Sequence, residues 1–331
     1  MEDTTAATGG FAPVEGGVPD SGVPDSGVPV SVVVVTHESA ATIDSCLDSI
    51  REHPPGVAYE VIVVDNASSD ETVRIVWSGH PDVRVIRRAR RHGFASNCNA
   101  GAHACRGRAL VFLNPDTRVM PGALERLVQF LDQHPTVAVV GPRLVYPDGT
   151  QQPSARRFPT VSATLVRRTP VRWVLQDSRV ERRHLMVDET PTLTLAPHTV
   201  DWVLGAAIAI RADVYKELGG MDDGYRLYCE DIDLCRRAWT AGFSVALLPS
   251  AVVEHDLAET TRKRFLTWAT VWHVRAMARF ARLHGLTPPQ MAALARVDGA
   301  GAMEGPAPVN GSASVDLDAA ATADLLPASQ T

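Results

Sequence analysis

The chain has 331 residues, 45% of them hydrophobic, and a formal net charge of −6. That charge is uneven: residues 1–28 and 297–331 each hold five acids and no base, so all 32 Lys and Arg meet 28 acids between them. The mildly basic core suits an anionic ligand such as a nucleotide or a phospholipid, and it is too weakly charged for nucleic acid.

The five cysteines, Cys46, Cys98, Cys105, Cys229 and Cys235, are odd in number and form no C-x-x-C pair. They are expected to be reduced thiols rather than a disulfide framework or a zinc site. The acidic start lacks an apolar segment, so no N-terminal signal is expected. No apolar run reaches the roughly 18–20 residues that span a bilayer. A cytoplasmic protein, soluble or peripheral on a membrane, is the expectation.

Residues 1–28 read as a tail that buries no core: Gly17-Val-Pro-Asp-Ser repeats at Gly22. The β-branched run Val30 to Thr36 reads as a buried parallel strand. A helix follows with Ile43, Leu47 and Ile50 at helical spacing. Tyr59 to Val64 is a second strand, ending in Asp65-Asn66, and Thr72 to Trp77 a short helix. Val83 to Ile86 is a third strand, Phe94 to Cys105 a small-residue helix, and Ala109 to Leu113 a fourth strand, ending in Asn114-Pro115-Asp116. Alternating strands and helices predict a parallel sheet with right-handed crossovers. Ligands of such sheets sit at the carboxyl ends of the strands. Those ends carry Thr36-His37-Glu38, Asp65-Asn66 and Asn114-Pro115-Asp116.

Residues 151–198 are irregular and rich in Pro and Arg. Val200 to Ile210 reads as one strand, Ala212 to Leu218 as a helix and Phe243 to Leu248 as a strand before Glu254-His255. A long helix is expected from about Phe265 to Leu283, and residues 297–331 read as a second disordered tail. Between them, a Gly-rich turn leads into Leu-Tyr-Cys-Glu-Asp-Ile-Asp, which packs Glu230, Asp231 and Asp233 into four positions. Such crowding is costly unless a cation, a substrate proton or a helix N-terminus uses it.

The first strand–helix turn lacks Gly-x-Gly-x-x-Gly, and no Walker lysine motif is present. A bound diphosphate would need another counter-charge, and a divalent cation held by carboxylates is the obvious one. Asn114-Pro115-Asp116 offers a carboxylate and an amide for it, but the same tripeptide is also ordinary turn chemistry.

Six segments occur in order: V-V-V-V-T-H-E-S, V-I-V-V-D-N-A-S-S-D-E-T, H-G-F-A-S-N-C-N-A-G, L-V-F-L-N-P-D-T, G-A-A-I-A-I-R and Y-C-E-D-I-D-L-C-R-R. Together, over roughly residues 30 to 285, they resemble the inverting family 2 glycosyltransferases. The resemblance implies an α/β GT-A nucleotide-sugar-binding fold with a mostly parallel central sheet and flanking helices. It divides residues 29–296 into a nucleotide-binding half (29–120), an acceptor and catalytic half (121–260) and a C-terminal helix (261–296). It assigns Thr36, Glu38, Asp65, Asn97, Asn99 and Asn114 to the nucleotide donor. Asp116 and His255 would hold Mn²⁺ or Mg²⁺, Asp231 would be the catalytic base and Glu230 an acceptor contact, with Asp233 capping its helix or pairing with Arg236 or Arg237. Arg91 departs from the family, which usually has Asn there.

Two further segments, Gln152 to Pro159 and Asp201 to Gly205, resemble the branch that transfers rhamnose to lipid-linked N-acetylglucosamine diphosphate. That likeness implies a dTDP-L-rhamnose donor and a glycan acceptor carried on polyprenyl diphosphate, with Trp202 and Gly205 on the acceptor side. Related enzymes that use UDP-sugars or other deoxysugars carry similar segments. Arg167, Arg168, Arg172, Arg179, Arg182 and Arg183 surround Trp173, and Arg275, Arg279 and Arg282 share one face of the late helix near Phe265, Trp268 and Trp272. Peripheral contact with an anionic leaflet fits these features, and so does an amphipathic helix packed on the core. A nucleotidyltransferase would want a Gly-rich basic signature at the first strand, which is missing. A catalytically silent relative would have lost Asp116 or Asp231, and both are present.

Overall fold

A computed structural model describes residues 29–160, 179–186, 195–256 and 268–286. The two tails, Arg167, Arg168, Arg172, Trp173, Phe265 and the side chain of Trp268 lie outside the described residues.

The first half alternates as the pattern predicts. It runs β1 (Val30–Thr36), α1 (Ile43–Glu52), β2 (Tyr59–Asp65), α2 (Thr72–Gly79), β3 (Arg84–Arg87), α3 (Phe94–Ala104) and β4 (Ala109–Leu113). β1 is buried along its whole length and sits between β2 and β4, parallel to both. Its side chains alternate between two layers, as a strand requires. Val33 and Val35 face a core shared with α3, while Val32 and Val34 face one shared with α1. A Cβ at Gly101 would come within 2.4 Å of a Val33 methyl, so the missing side chain is what lets α3 lie tight on β1.

The second half is β5 (Thr117–Val119), α4 (Ala123–Gln133), β6 (Val137–Val145), β7 (Gln151–Gln152), β8 (Ala155–Arg156), α5 (Arg179–His184), β9 (His198–Thr199), β10 (Trp202–Val203), β11 (Ala207–Arg211), α6 (Ala212–Glu217), α7 (Glu230–Thr240), β12 (Ser244–His255) and α8 (Trp268–His284). All but β8 and β10 join one sheet with the path β3-β2-β1-β4-β11-β6-β12-β5, β7 pairing with β6 and β9 with β12.

The sheet is mostly parallel, as expected, with antiparallel members. β11 runs antiparallel to both β4 and β6, and β5 antiparallel to β12. The predicted strand Val200 to Ile210 is two strands. β10 pairs with β8 in a separate two-stranded sheet, while β11 enters the main one. β12 is twice the predicted length, continuing past Pro249 through a register shift between Leu248 and Val252 as far as His255.

α8 closes over α7 and the loop before it through two polar contacts. Arg279 grips Asp222 with Nε 3.0 Å and Nη2 2.7 Å from Oδ2, and His284 Nε2 lies 2.7 Å from Asp233 Oδ1. Arg279 therefore points inward, against the expectation that it shares an outer face with Arg275 and Arg282. Val271 and Val274 lie on the exposed side of the helix with Arg275 and Arg282, while Ala276 and Phe280 are buried. No described helix is long and apolar enough to cross a membrane.

Candidate active site

The carboxyl ends of β1, β2 and β4 and the N-terminal turns of α3 and α7 bring most of the predicted residues to one edge of the sheet. Thr36 and Asp65 are register partners and both fully buried, with Thr36 Oγ1 3.5 Å from Asp65 Oδ1. Asp65 Oδ2 also accepts the Ser68 N–H at 3.3 Å. Beside them, Asn66 clasps His92 with both halves of its amide: Nδ2 donates to the carbonyl and Oδ1 accepts from the N–H. Glu38, in left-handed backbone at φ 52°, uses Oε1 to accept the Ser69 N–H and hydroxyl at 2.8 and 2.9 Å. These groups shape the first two loops before any ligand arrives.

The two asparagines of α3 part company. Asn97 is fully buried and donates to the Gly93 carbonyl at 2.9 Å, leaving Oδ1 without a hydrogen-bond partner. Asn99 is saturated: Nδ2 donates to Met221 O and Asp223 Oδ1, and Oδ1 accepts from the Tyr215 hydroxyl and the Met221 N–H. An amide with two donors and two lone pairs in use has nothing left for a donor nucleotide. Asn99 instead clamps the Gly219 to Asp223 turn, so its predicted donor contact is not what this geometry offers.

At the end of β4, the Asn114 carbonyl accepts the Thr117 hydroxyl at 2.7 Å, and its N–H donates to Ala206 O. This fixes the turn that presents Asp116. The Asp256 N–H donates to the Asp116 carbonyl at 3.0 Å, which brings the end of β12 alongside. His255 Nε2 then lies 3.5 Å from Asp116 Oδ1, a buried oxygen with no hydrogen-bond partner. Two ligand atoms of an octahedral shell with bonds of about 2.1 Å sit roughly 3 Å apart, so the pair fits a small divalent cation. Among the described residues no third His, Cys, Asp or Glu joins it.

The carboxylates begin at a kink. Tyr228 and Cys229 both adopt left-handed backbone, at φ 71° and 67°. For non-glycine residues this costs about 1–2 kcal/mol each. The kink turns the first residues of α7 into the protein. Asp231 Oδ2 accepts the Gly205 N–H at 2.9 Å and Oδ1 the Ile232 N–H at 2.8 Å. Glu230 Oε2 is buried without a partner.

Burial raises both carboxyls, and the Asp231 charge helps push Glu230 up to about 8. Asp231 has the Gly205 and Ile232 N–H donors and the nearby Arg156 charge to favour its ionised form, whereas Glu230 has only its own backbone N–H. The proton of the pair therefore resides on Glu230 at neutral pH, and Asp231 is the carboxylate. Asp233 goes the other way. Burial pushes it up, but the His284 hydrogen bond and Arg237 outweigh burial and hold it below the usual range. Its Oδ2 lies 2.7 Å from Arg237 Nε, one of the two partners anticipated.

Trp202 does not present a surface to an acceptor. It is 4% exposed, its Nε1 donates to Arg157 O, and Arg156 lies over its ring. Gly205 does reach the site: its N–H meets Asp231, and a Cβ there would lie 3.2 Å from Asp231 Oδ2. Gln152, not singled out as a site residue from sequence, is 2.8 Å from His255 Nδ1. It lay in a quoted segment, but only the 103-residue contact gives it a role. The five cysteines are free, four of them buried, and burial raises the thiols of Cys46 and Cys235 to about 12.

Known proteins resemble this chain. Residues 31–195 match Glycosyl transferase family 2. The chain is 27% identical over 252 residues to N-acetylglucosaminyl-diphospho-decaprenol L-rhamnosyltransferase of Mycobacterium tuberculosis, covering 70% of this chain and 76% of that one. It is 32% identical over 237 residues to the pre-mycofactocin glycosyltransferase of the same organism, covering 68% of this chain and 42% of the relative. The crystal structure of GalNAc-T7 with UDP, GalNAc and Mn²⁺ superposes with a TM-score of 0.53 at 20% identity, over 70% of this chain and 44% of that one. With a GT-A fold and this match, the chain is a glycosyltransferase belonging to family 2.

Proposed function

We propose that the protein transfers a sugar from a nucleotide-sugar donor to a hydroxyl of a glycan acceptor, with inversion at the anomeric carbon. One observation carries the reading. Among the described residues, the only buried side-chain oxygens without a hydrogen-bond partner are Asn97 Oδ1, Asp116 Oδ1 and Glu230 Oε2. Unsatisfied buried oxygens are costly and call for a ligand or a function. All three belong to residues assigned to the donor, the metal and the acceptor.

Asp231 is the base in this reading. Each of its oxygens accepts one N–H and retains a lone pair, so it can take the acceptor hydroxyl proton as that oxygen attacks. Glu230, protonated, donates a hydrogen bond to the acceptor. Asp65 and Thr36 face the base or ribose of the donor, with Asn97 and Asn114 beside them. Asp116 and His255 hold Mn²⁺ or Mg²⁺, which supplies the charge that stabilises a departing diphosphate.

The donor we favour is dTDP-L-rhamnose and the acceptor a glycan on polyprenyl diphosphate in cell-wall or surface polysaccharide synthesis. The support is the relative named for rhamnosyl transfer to a diphospho-decaprenol carrier. A UDP-sugar donor is the second reading, favoured by the UDP and Mn²⁺ in the GalNAc-T7 crystal. Exposed Val271 and Val274 beside Arg275 and Arg282 support peripheral contact with the cytoplasmic membrane face.

The decisive variant is Asp231→Asn. Transfer should fall about 10²–10⁴-fold while donor binding persists; an active Asp231→Asn enzyme ends the base assignment. Thermal shift with Mn²⁺ across a panel of nucleotide sugars separates the two donors.

A further inference from the structure

Gln152 is 3% exposed on β7, and its Oε1 lies 2.8 Å from His255 Nδ1. An amide oxygen only accepts, so the hydrogen of this bond sits on Nδ1. The neutral ring then presents the lone pair of Nε2, the atom that lies 3.5 Å from Asp116 Oδ1. That oxygen is buried and unpartnered. In this neutral form, two electron-rich atoms face each other with no proton between them. This is unfavourable in a buried site unless a cation joins them, and favourable once one does.

We propose that Gln152 is a positioning residue: it fixes His255 as the Nδ1–H tautomer, so that Nε2 faces Asp116 as a ready metal ligand. The proposal rests on the reading of Asp116 and His255 as metal ligands. The alternative tautomer would place a hydrogen on Nε2, donate it to Asp116 Oδ1 and consume both ligand atoms in a hydrogen bond. With its amide oxygen turned to the ring, Gln152 disfavours that state, because the oxygen would then face the bare Nδ1 lone pair. Second partners of this kind orient a metal-bound imidazole and make it more basic, and losing one costs about 10–100-fold in metal affinity. The contact joins residues 103 positions apart, so it also pins the turn after β6 to the end of β12.

The test uses the full chain and three variants. Gln152→Met keeps the volume and removes the acceptor, Gln152→Glu keeps an acceptor at the same reach, and His255→Gln identifies the His255 signals. Nitrogen-15 NMR of the imidazoles, without metal, reads the tautomer. Titration with Mn²⁺ in the presence of inorganic diphosphate, followed by electron paramagnetic resonance, reads the affinity. In the native chain and in Gln152→Glu, the proton is expected on Nδ1. In Gln152→Met it should move toward Nε2, and the Mn²⁺ dissociation constant should rise 10–100-fold. A Gln152→Met chain with native tautomer, or with native Mn²⁺ affinity, overturns the proposal while leaving the metal pair standing. A native chain that binds no Mn²⁺ overturns the metal reading itself, and with it the purpose given to Gln152.

Discussion

The parallel half of the sheet and the mixed half treat their polar groups differently. At the ends of β1 and β2, the side chains are bound mostly by their own neighbouring loops: Glu38 by Ser69, Asp65 by Ser68, Asn66 by His92. In the mixed half, Gly205 holds Asp231 over a similar span, but two of the key contacts reach much further along the chain: Gln152 holds His255 across 103 positions, and His255 meets Asp116 across 139. The polar groups of the first half are largely satisfied by one another. The second draws on more distant parts, and Asp116 and Glu230 keep unsatisfied carboxyl oxygens.

If this contrast is right, damage in the mixed half should unfold or inactivate, and damage in the parallel half should only weaken binding. The largest effect is expected from Asp233→Ala. It strands Arg237 and His284 and should destabilise by about 3–5 kcal/mol in chemical denaturation, as breaking a buried pair does. A loss under about 1 kcal/mol would mean that α8 is held by other means.

Next comes Glu230→Gln. The folded chain holds the Glu230 proton up to about pH 8, whereas an unfolded glutamate releases it near 4.5. The native state therefore binds more protons across that window, and stability falls as pH rises through it. The Gln variant should lose this decline and be the more stable of the two at pH 9. Parallel stability curves for the two proteins would place the proton elsewhere.

In the parallel half, Asp65→Asn should weaken donor binding about tenfold, or about 1.4 kcal/mol by calorimetry, with the melting temperature nearly unchanged. Glu38→Gln should do least. It keeps the Ser69 hydrogen bonds in neutral form and should cost under about 1 kcal/mol in either measurement. A Glu38→Gln chain that fails to fold would erase the contrast between the halves.

How much was legible follows the same line. β1, β2 and β4 were located from sequence to within a residue because buried parallel strands are near-continuous apolar runs. The helix Ala123–Gln133 and the strand Val137–Val145 went unread, although their periodicity carries the signal. In α4, Ala123, Leu124, Leu127, Val128 and Leu131 line one face. The break between β10 and β11 was invisible because Leu204 to Ala206 looks as apolar as its neighbours. Only the distant carboxylate that takes the Gly205 N–H gives the reason for it. Motif order led to Asp116, Glu230 and Asp231, but it could not separate a saturated Asn99 from an unsatisfied Asn97. Both are asparagines on the same helix, and their difference is made by residues more than a hundred positions away.

The contacts of α8 set the smallest unit that can work. The family match ends at residue 195, before the acidic helix begins. A fragment cut at that boundary would lack Asp231, the proposed base, altogether. One cut after β12 would keep Asp231 but leave Asp222 without Arg279 and Asp233 without His284, two positions from Asp231. Expression boundaries for this enzyme therefore have to run past His284, whatever the reach of the recognisable domain.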